Sequence, residues 1–263
     1  MSAMHVVEGV DRLEPGLGRL FVVIGVFDGL HLGHQYLLDA LVREAGRLGA
    51  RPTVLTFDHH PDEVITGTAP PLLIDPAERL ARLEAAGVEV TIVQHFDQAL
   101  RRTPYDEFVR RIASRADLAG FLMTPESAFG FERRGTPETL AALGQELGYE
   151  VAVVPPFTLD GQPVTSSAVR AAIAAGNLEE AARLLGRPYA VTGDGVQLDA
   201  TRVWLRFTAP MALPPSGTWD ATVELDPRPD LFAAHAGVED GRLVLGVAPF
   251  EGRARVVFGP RRS

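Results

Sequence analysis

The stretch Gly25-Val26-Phe27-Asp28-Gly29-Leu30-His31-Leu32-Gly33-His34-Gln35 sets two histidines around a glycine, directly after the apolar run Leu20-Phe21-Val22-Val23-Ile24. A continuous β-branched run of that kind reads as a strand buried on both faces of a parallel sheet. The chain then turns at Asp28-Gly29, and beyond the turn Leu37, Leu38, Leu41, Val42, Ala45 and Leu48 recur at helical spacing. That periodicity predicts an amphipathic helix from about His31 to Leu48. His31 and His34 would then share its first turn and project from one face, beside backbone N–H groups that attract anions. Gly33 lets a ligand approach the backbone closely. A strand end of this design is a place to hold the phosphates of a nucleotide.

Outward from this point, strand-like and helix-like segments alternate. Thr53–Phe57 precedes a helix at about Pro76–Ala86, and Val88–Val93 precedes one at Tyr105–Ser114. Leu118–Met123 and Glu150–Val154 add apolar strands around a helix at Pro137–Leu147. The alternation predicts an α/β doubly wound parallel sheet, with Leu20–Ile24 as its first strand and right-handed crossovers. Ligands bind such sheets beyond the carboxyl ends of the strands, where Phe27 and Asp28 arrive. From Tyr189 onward the chain is rich in Gly and Pro, with short alternating runs such as Val203–Phe207 and Ala221–Leu225. These predict a second, smaller all-β domain.

Composition narrows the function. The 263 residues suffice for a main domain and a small one. A net charge of −9 argues against a nucleic-acid or membrane surface, so anionic ligands must be held locally. There is no cysteine, hence no disulfide, thiolate zinc site or thiol nucleophile. Every basic side chain other than histidine is arginine, which excludes a P-loop lysine and Schiff-base chemistry. No basic leader precedes an apolar stretch, and no run approaches the roughly 18 residues of a membrane span, so a cytoplasmic protein is expected.

The Gly25–Gln35 string resembles the H-x-G-H signature of the nucleotidyltransferase superfamily, in the longer form G-x-F-D-G-x-H-x-G-H-Q of bacterial FAD synthetases. Thr56-Phe57-Asp58-His59-His60-Pro61 resembles that family's T-F-x-P-H-P, with His59 where the pattern has proline. Adjacent histidines also suggest a metal pair, but neighbours in extended chain point to opposite sides, which disfavours joint chelation. Pro125–Gly135 resembles G-x-[DN]-F-x-F-G-x-x-R-x-G. Phe129, Gly130, Arg133 and Gly135 fit, while Glu126 replaces Asp or Asn and Ser127 replaces an aromatic residue. Val164-Thr165-Ser166-Ser167-Ala168-Val169-Arg170 resembles the second superfamily signature, I-S-S-T-x-I-R. Its hydroxyls cap a helix and its arginine can clamp phosphate oxygens.

The phrase Leu184-Leu185-Gly186-Arg187-Pro188-Tyr189 resembles the end of the family's adenylyltransferase domain, which implies residues 1–187 as that domain and 188–263 as a riboflavin-kinase-like β-barrel. The barrel's chemistry departs from the family. Arg206-Phe207-Thr208-Ala209-Pro210-Met211 stands where the family has G-F-P-T-A-N, and Val244 stands where it has a glutamate base.

The resemblance implies FMN adenylyltransferase activity, with ATP and FMN as substrates, Mg2+ arriving with ATP, and the kinase activity lost. It carries catalytic roles onto His31, His34 and Arg170, and ATP binding onto Gly25, Phe27, Asp28, Gly33, Thr165, Ser166 and Ser167. It carries flavin binding onto Phe57, His60, Pro61, Glu126, Phe129 and Arg133, and names no metal ligands. Two other readings stay open: a nucleotidyltransferase of the same fold acting on another phosphate acceptor, and a non-catalytic regulator that binds flavin or nucleotide.

Overall fold

Short β-branched runs separated by amphipathic helices pair into one parallel sheet in the computed structural model, which describes residues 3–226 and 230–262. Met1, Ser2 and Ser263, at the limits of the expected domains, lie outside the described residues. The chain falls into two compact units. One comprises Met1–Phe27, Gly33–Pro70 and Leu80–Phe157; the other comprises Asp28–Leu32, Pro71–Arg79 and Thr158–Ser263.

The first unit carries strands β1 (His5–Glu8), β2 (Arg19–Ile24), β3 (Arg51–Phe57), β4 (Val90–Gln94), β5 (Asp117–Met123) and β6 (Glu150–Val153) in the order β1-β4-β3-β2-β5-β6. Every pairing is parallel. The order reverses between β2 and β5, so a crevice for ligand opens beyond their carboxyl ends. One expectation is corrected. The run at Leu20 is the second strand, because His5–Glu8 forms an edge strand on β4. With only Val7 buried, β1 has no apolar run of its own and gains its identity from its partner.

Helices α1 (Leu32–Arg47), α2 (Asp62–Ile65), α3 (Pro76–Ala85), α4 (Gln98–Arg102), α5 (Tyr105–Ala113) and α6 (Pro137–Leu147) link these strands. Local chemistry sets their limits. At α6, Thr136 accepts from the Thr139 amide in a capping box, Pro137 opens the helix, and Gly148 closes it in the left-handed region. α5 buries Phe108, Val109 and Ile112 in a core shared with Leu20, Val22, Phe121 and Leu140. α1 begins at Leu32, beside the start expected at about His31, and Gly29 and Leu30 before it have positive φ, which is incompatible with helix.

The second unit contains a short hairpin, β7 (Thr158–Leu159) and β8 (Gln162–Pro163), helices α7 (Ser166–Ala174) and α8 (Leu178–Leu185), and six antiparallel strands. These strands are β9 (Ala190–Gln197), β10 (Val203–Arg206), β11 (Gly217–Asp226), β12 (Leu231–Glu239), β13 (Arg242–Leu245) and β14 (Arg253–Arg261), closed as a barrel in the order β10-β13-β12-β11-β14-β9. Alternate residues such as Trp219, Ala221 and Val223 on β11, and Ala254, Val256 and Phe258 on β14, fill it. The expected fold class, a parallel α/β sheet with a smaller β-barrel, is what forms.

Gly120 shows how tightly the sheet is drawn. Where the β2–β5 register shifts between Leu20 and Phe21, a Cβ on Gly120 would lie 2.1 Å from the Glu150 carbonyl oxygen and 3.0 Å from the Phe21 ring. Backbone cannot yield cheaply there. Gly120→Ala is expected to cost about 3 kcal/mol in urea unfolding; an unchanged midpoint would contradict this packing.

Candidate active site

Strand β2 ends at Ile24, and the residues that follow adopt a strained path. Phe27, Gly29 and Leu30 all have positive φ, at 53°, 81° and 43°. For the non-glycine residues this costs roughly 1–3 kcal/mol each, a kind of strain that concentrates at functional sites. Gly25 is required by the bend, because a Cβ there would meet the Phe27 ring at 3.0 Å. Phe27 is buried, and its ring lies 5.0 Å from that of His34 on the first turn of α1.

In the second unit, Asp28–Leu32 is held from several directions. Asp28 is buried; its Oδ1 accepts from the Leu73 amide at 2.9 Å, and its Oδ2 accepts from Arg170. Arg170 also donates Nε–H to the Pro71 carbonyl at 2.8 Å. Ser166 donates its hydroxyl to the Asp28 carbonyl at 2.9 Å, and Thr165 caps α7 by accepting from the Ala168 amide at 3.2 Å. Ser167 is exposed beside them. Of the three hydroxyl residues, then, two have structural bonds. Arg187 completes the frame, donating to the Gly29 carbonyl at 2.6 Å and the Leu30 carbonyl at 3.1 Å. In sequence Arg187 reads as part of an expected domain end, and nothing in that phrase foretells its bonds to the turn.

His31 immediately precedes α1, in the Asp28–Leu32 segment, and His34 lies on the helix's first turn. His31 is buried, and its pKa is lowered to about 4 by burial, then by the Arg187 and Arg170 guanidiniums. At neutral pH it is therefore an uncharged imidazole, able to donate one hydrogen bond and accept another.

At the carboxyl ends of β2, β3 and β5, two adjoining cavities of about 420 and 330 Å3 open in the first unit. The larger is lined by Gly25, Phe57, His60, Pro61, Phe129 and Arg133, so one space gathers most of the expected flavin-binding residues together with a glycine expected to face ATP. Glu126 does not line it. Its side chain is exposed, while its carbonyl accepts from Arg133 at 3.4 Å. Ser127 does line it, and its hydroxyl accepts from the Thr124 amide at 3.1 Å, closing the loop after β5. Sequence reasoning missed Phe96, whose ring meets that of Phe57 edge-on at 5.3 Å and lines both cavities. Its only local signal is its position just past β4.

An all-parallel sheet with an H-x-G-H turn after an inner strand and an S-S-x-x-R helix start defines a nucleotidyltransferase. A family model described as FAD synthetase matches residues 15–168. The chain belongs to the FAD synthetase family. A bifunctional riboflavin kinase/FMN adenylyltransferase of Haemophilus influenzae is 28% identical over 247 residues, covering 93% of this chain and 78% of the relative. The protein of the same name from Pseudomonas fluorescens is 34% identical over 191 residues, covering 72% of this chain and 61% of its own length. The chain thus spans under two thirds of the latter. A crystal structure described as a macrolide-efflux protein from Streptococcus pneumoniae has a TM-score of 0.83 at 23% identity, covering 100% of this chain and 91% of that one, which is a likeness of fold.

The depressed pKa of His31 has a signed consequence. The unfolded chain takes up a proton on this histidine near pH 6.5, and the folded chain only near 4. The stabilisation from keeping it neutral is therefore complete above pH 6.5 and is lost as pH falls towards 4. Urea unfolding of the native chain should lose about 3 kcal/mol more across that window than His31→Asn does. Parallel pH profiles for the two proteins would contradict the assignment.

Proposed function

We propose that this chain is an FMN adenylyltransferase, transferring AMP from ATP to FMN to give FAD and pyrophosphate. The observation that carries the reading is the cavity at the ends of β2, β3 and β5. It presents the aromatic side chains Phe57, Phe96 and Phe129, along with His60 and Arg133, beside the backbone of Gly25. An aromatic-lined space with one arginine suits a flavin carrying a phosphate. A terminal phosphate oxygen of FMN attacks the ATP α-phosphorus, forming the new P–O bond as the bond to the β-phosphate's bridging oxygen breaks. Pyrophosphate leaves with its electrons, and no covalent enzyme intermediate is needed. Magnesium enters as part of the ATP substrate and keeps most of its ligands as phosphate and water.

Catalysis in this reading comes from positioning and from stabilising charge. His31, neutral at working pH, and His34 donate to the α- and β-phosphate oxygens. Arg170, aligned by Asp28, and the start of α7 at Thr165–Ser167 receive the leaving pyrophosphate. Asp28 is assigned a positioning role, because its two oxygens are taken by Leu73 and Arg170. Gly25, Phe27 and Gly33 allow close packing of the nucleotide. Glu126, exposed and away from the cavity, is given no flavin contact.

The functional boundary is placed near Arg187, with residues 188–263 as a kinase-like barrel that has lost its reaction. The segment Arg206–Met211 has neither the Thr nor the Asn of the family's G-F-P-T-A-N pattern in register. Its end is instead occupied by backbone bonding: the Leu72 amide donates to the Pro210 carbonyl at 2.8 Å, and the Ala212 amide to the Leu72 carbonyl at 2.8 Å. Val244, on β13 opposite Trp204, has no proton to exchange. A cytoplasmic location fits ATP and FMN as substrates, and no helix among the described residues is long and apolar enough to cross a membrane.

Incubation with ATP and magnesium is expected to give FAD and pyrophosphate from FMN, and neither FMN nor FAD from riboflavin. His31→Ala and His34→Ala should each slow FAD formation about a hundredfold, as for loss of one preorganised donor. FMN left unconverted by the native chain would overturn the acceptor; undiminished turnover in both variants would overturn the histidine roles; FMN made from riboflavin would overturn the loss of kinase activity.

A further inference from the structure

One cluster of chemistry-bearing side chains lies outside the roles assigned above. Asp58 and His59 follow β3, and His95 follows the neighbouring strand β4, so parallel pairing of β3 and β4 delivers both segments to one edge of the sheet. His59 Nδ1 lies 2.7 Å from Asp58 Oδ1, and His95 Nδ1 lies 2.6 Å from Asp58 Oδ2. The imidazole rings are 5.3 Å apart, and one ligand atom from each residue falls within 4.8 Å of the others. His60 takes no part. It lines the cavity, and its Nδ1 accepts from the Asp62 amide at 3.2 Å, so the adjacent histidines diverge at the bend after β3.

We propose that Asp58, His59 and His95 bind a borderline transition-metal ion of the Zn2+ class, at a site distinct from the magnesium that accompanies ATP. Two imidazoles and a carboxylate are a ligand set for Zn2+, Ni2+ or Co2+, whereas Mg2+ requires oxygen ligands. Zn2+ sets its nitrogen and oxygen ligands about 2.1 Å from the ion, hence ~3.4 Å from one another in a tetrahedron. The cluster reaches that spacing by small movements of the exposed Asp58 and His95 and the half-buried His59. In the metal-free chain both Nδ1 atoms face the Asp58 carboxylate, and the ion enters between these same atoms.

The carboxylate is already oriented for this. Asp58 Oδ1 accepts from the His59 amide at 2.9 Å and the Phe96 amide at 3.4 Å, while the Asp58 amide donates to the Gln94 carbonyl at 3.3 Å. Outer hydrogen bonds of this kind fix a ligating carboxylate. Three protein ligands leave a coordination position for water or another small donor. An ion here ties the segment after Phe57 to the one before Phe96, the two rings that meet at the cavity wall. The site also depends on this chain's own sequence, because His59 stands where the T-F-x-P-H-P pattern has proline.

Tag-free full-length protein, stripped with chelator and titrated with Zn2+ against a chromophoric competitor at pH 7.5, is expected to bind one equivalent with micromolar or tighter affinity. Magnesium at millimolar concentration should not compete. His59→Ala and His95→Ala should each weaken Zn2+ binding at least tenfold and abolish the Zn2+-dependent rise in Tm. His235→Ala, in the barrel, should do neither. Far-ultraviolet circular dichroism confirms that each variant is folded, and no flavin or ATP enters the assay, so its outcome is independent of the proposed reaction. Absence of a stoichiometric Zn2+ site, or a site whose affinity survives both cluster substitutions, would overturn the proposal.

Discussion

The ion pair between the buried Asp28 and the partly buried Arg170 is the constraint on which the turn from Asp28 to Leu32 depends. Asp28 sits in a stretch with left-handed backbone at Phe27, Gly29 and Leu30, a path that an isolated chain would not keep. Both carboxylate oxygens are occupied, by a guanidinium on one side and the Leu73 amide on the other. Such a pair adds little over a well-packed apolar substitute, but removing one member leaves a buried charge uncompensated at a cost of about 3–5 kcal/mol. Specificity of shape is what it contributes. With Arg187 bonded to the carbonyls of Gly29 and Leu30, the turn keeps its strained dihedrals and places His31 in a buried, cationic surrounding.

That surrounding is a local concentration of positive charge in an acidic chain. The net charge of −9 offers no general attraction for an anion, so a phosphate ligand would need cationic groups gathered locally. Arg170 and Arg187 bring positive charge to the Asp28–Leu32 turn, and their proximity, added to burial, holds the His31 pKa down. A neutral imidazole donates a hydrogen bond without requiring a counter-ion when the site is empty, and it holds that form through the physiological pH range.

The sheet was largely legible because buried parallel strands are continuous apolar runs, and because turn chemistry marks the helix ends, as Thr136 and Gly148 do for α6. The missing strand, His5–Glu8, could not be read locally, since a short edge strand is defined by its partner β4. The apolar periodicity of α1 marks its start to within a residue, but gives no sign of the positive φ at Leu30 just before it. Motif residues such as Asp28, Gly29 and Phe57 are visible in sequence. Their partners were not: Leu73 on Asp28, Arg187 on the turn carbonyls and Phe96 against Phe57 all come from segments distant in the chain. Glu126 illustrates the converse, a motif position whose side chain points to solvent.

If the Asp28–Arg170 pair orders the turn, the two residues act as one unit in adenylyl transfer. The most direct measurement is a double-mutant cycle on the rate of pyrophosphate release from ATP and FMN, using Asp28→Asn, Arg170→Gln and the double variant, with folding of each verified by circular dichroism. The account predicts that the double variant is no slower than the slower single variant, because either substitution already dissolves the unit. Rate losses that multiply in the double variant would show that the two side chains act independently, and would contradict it.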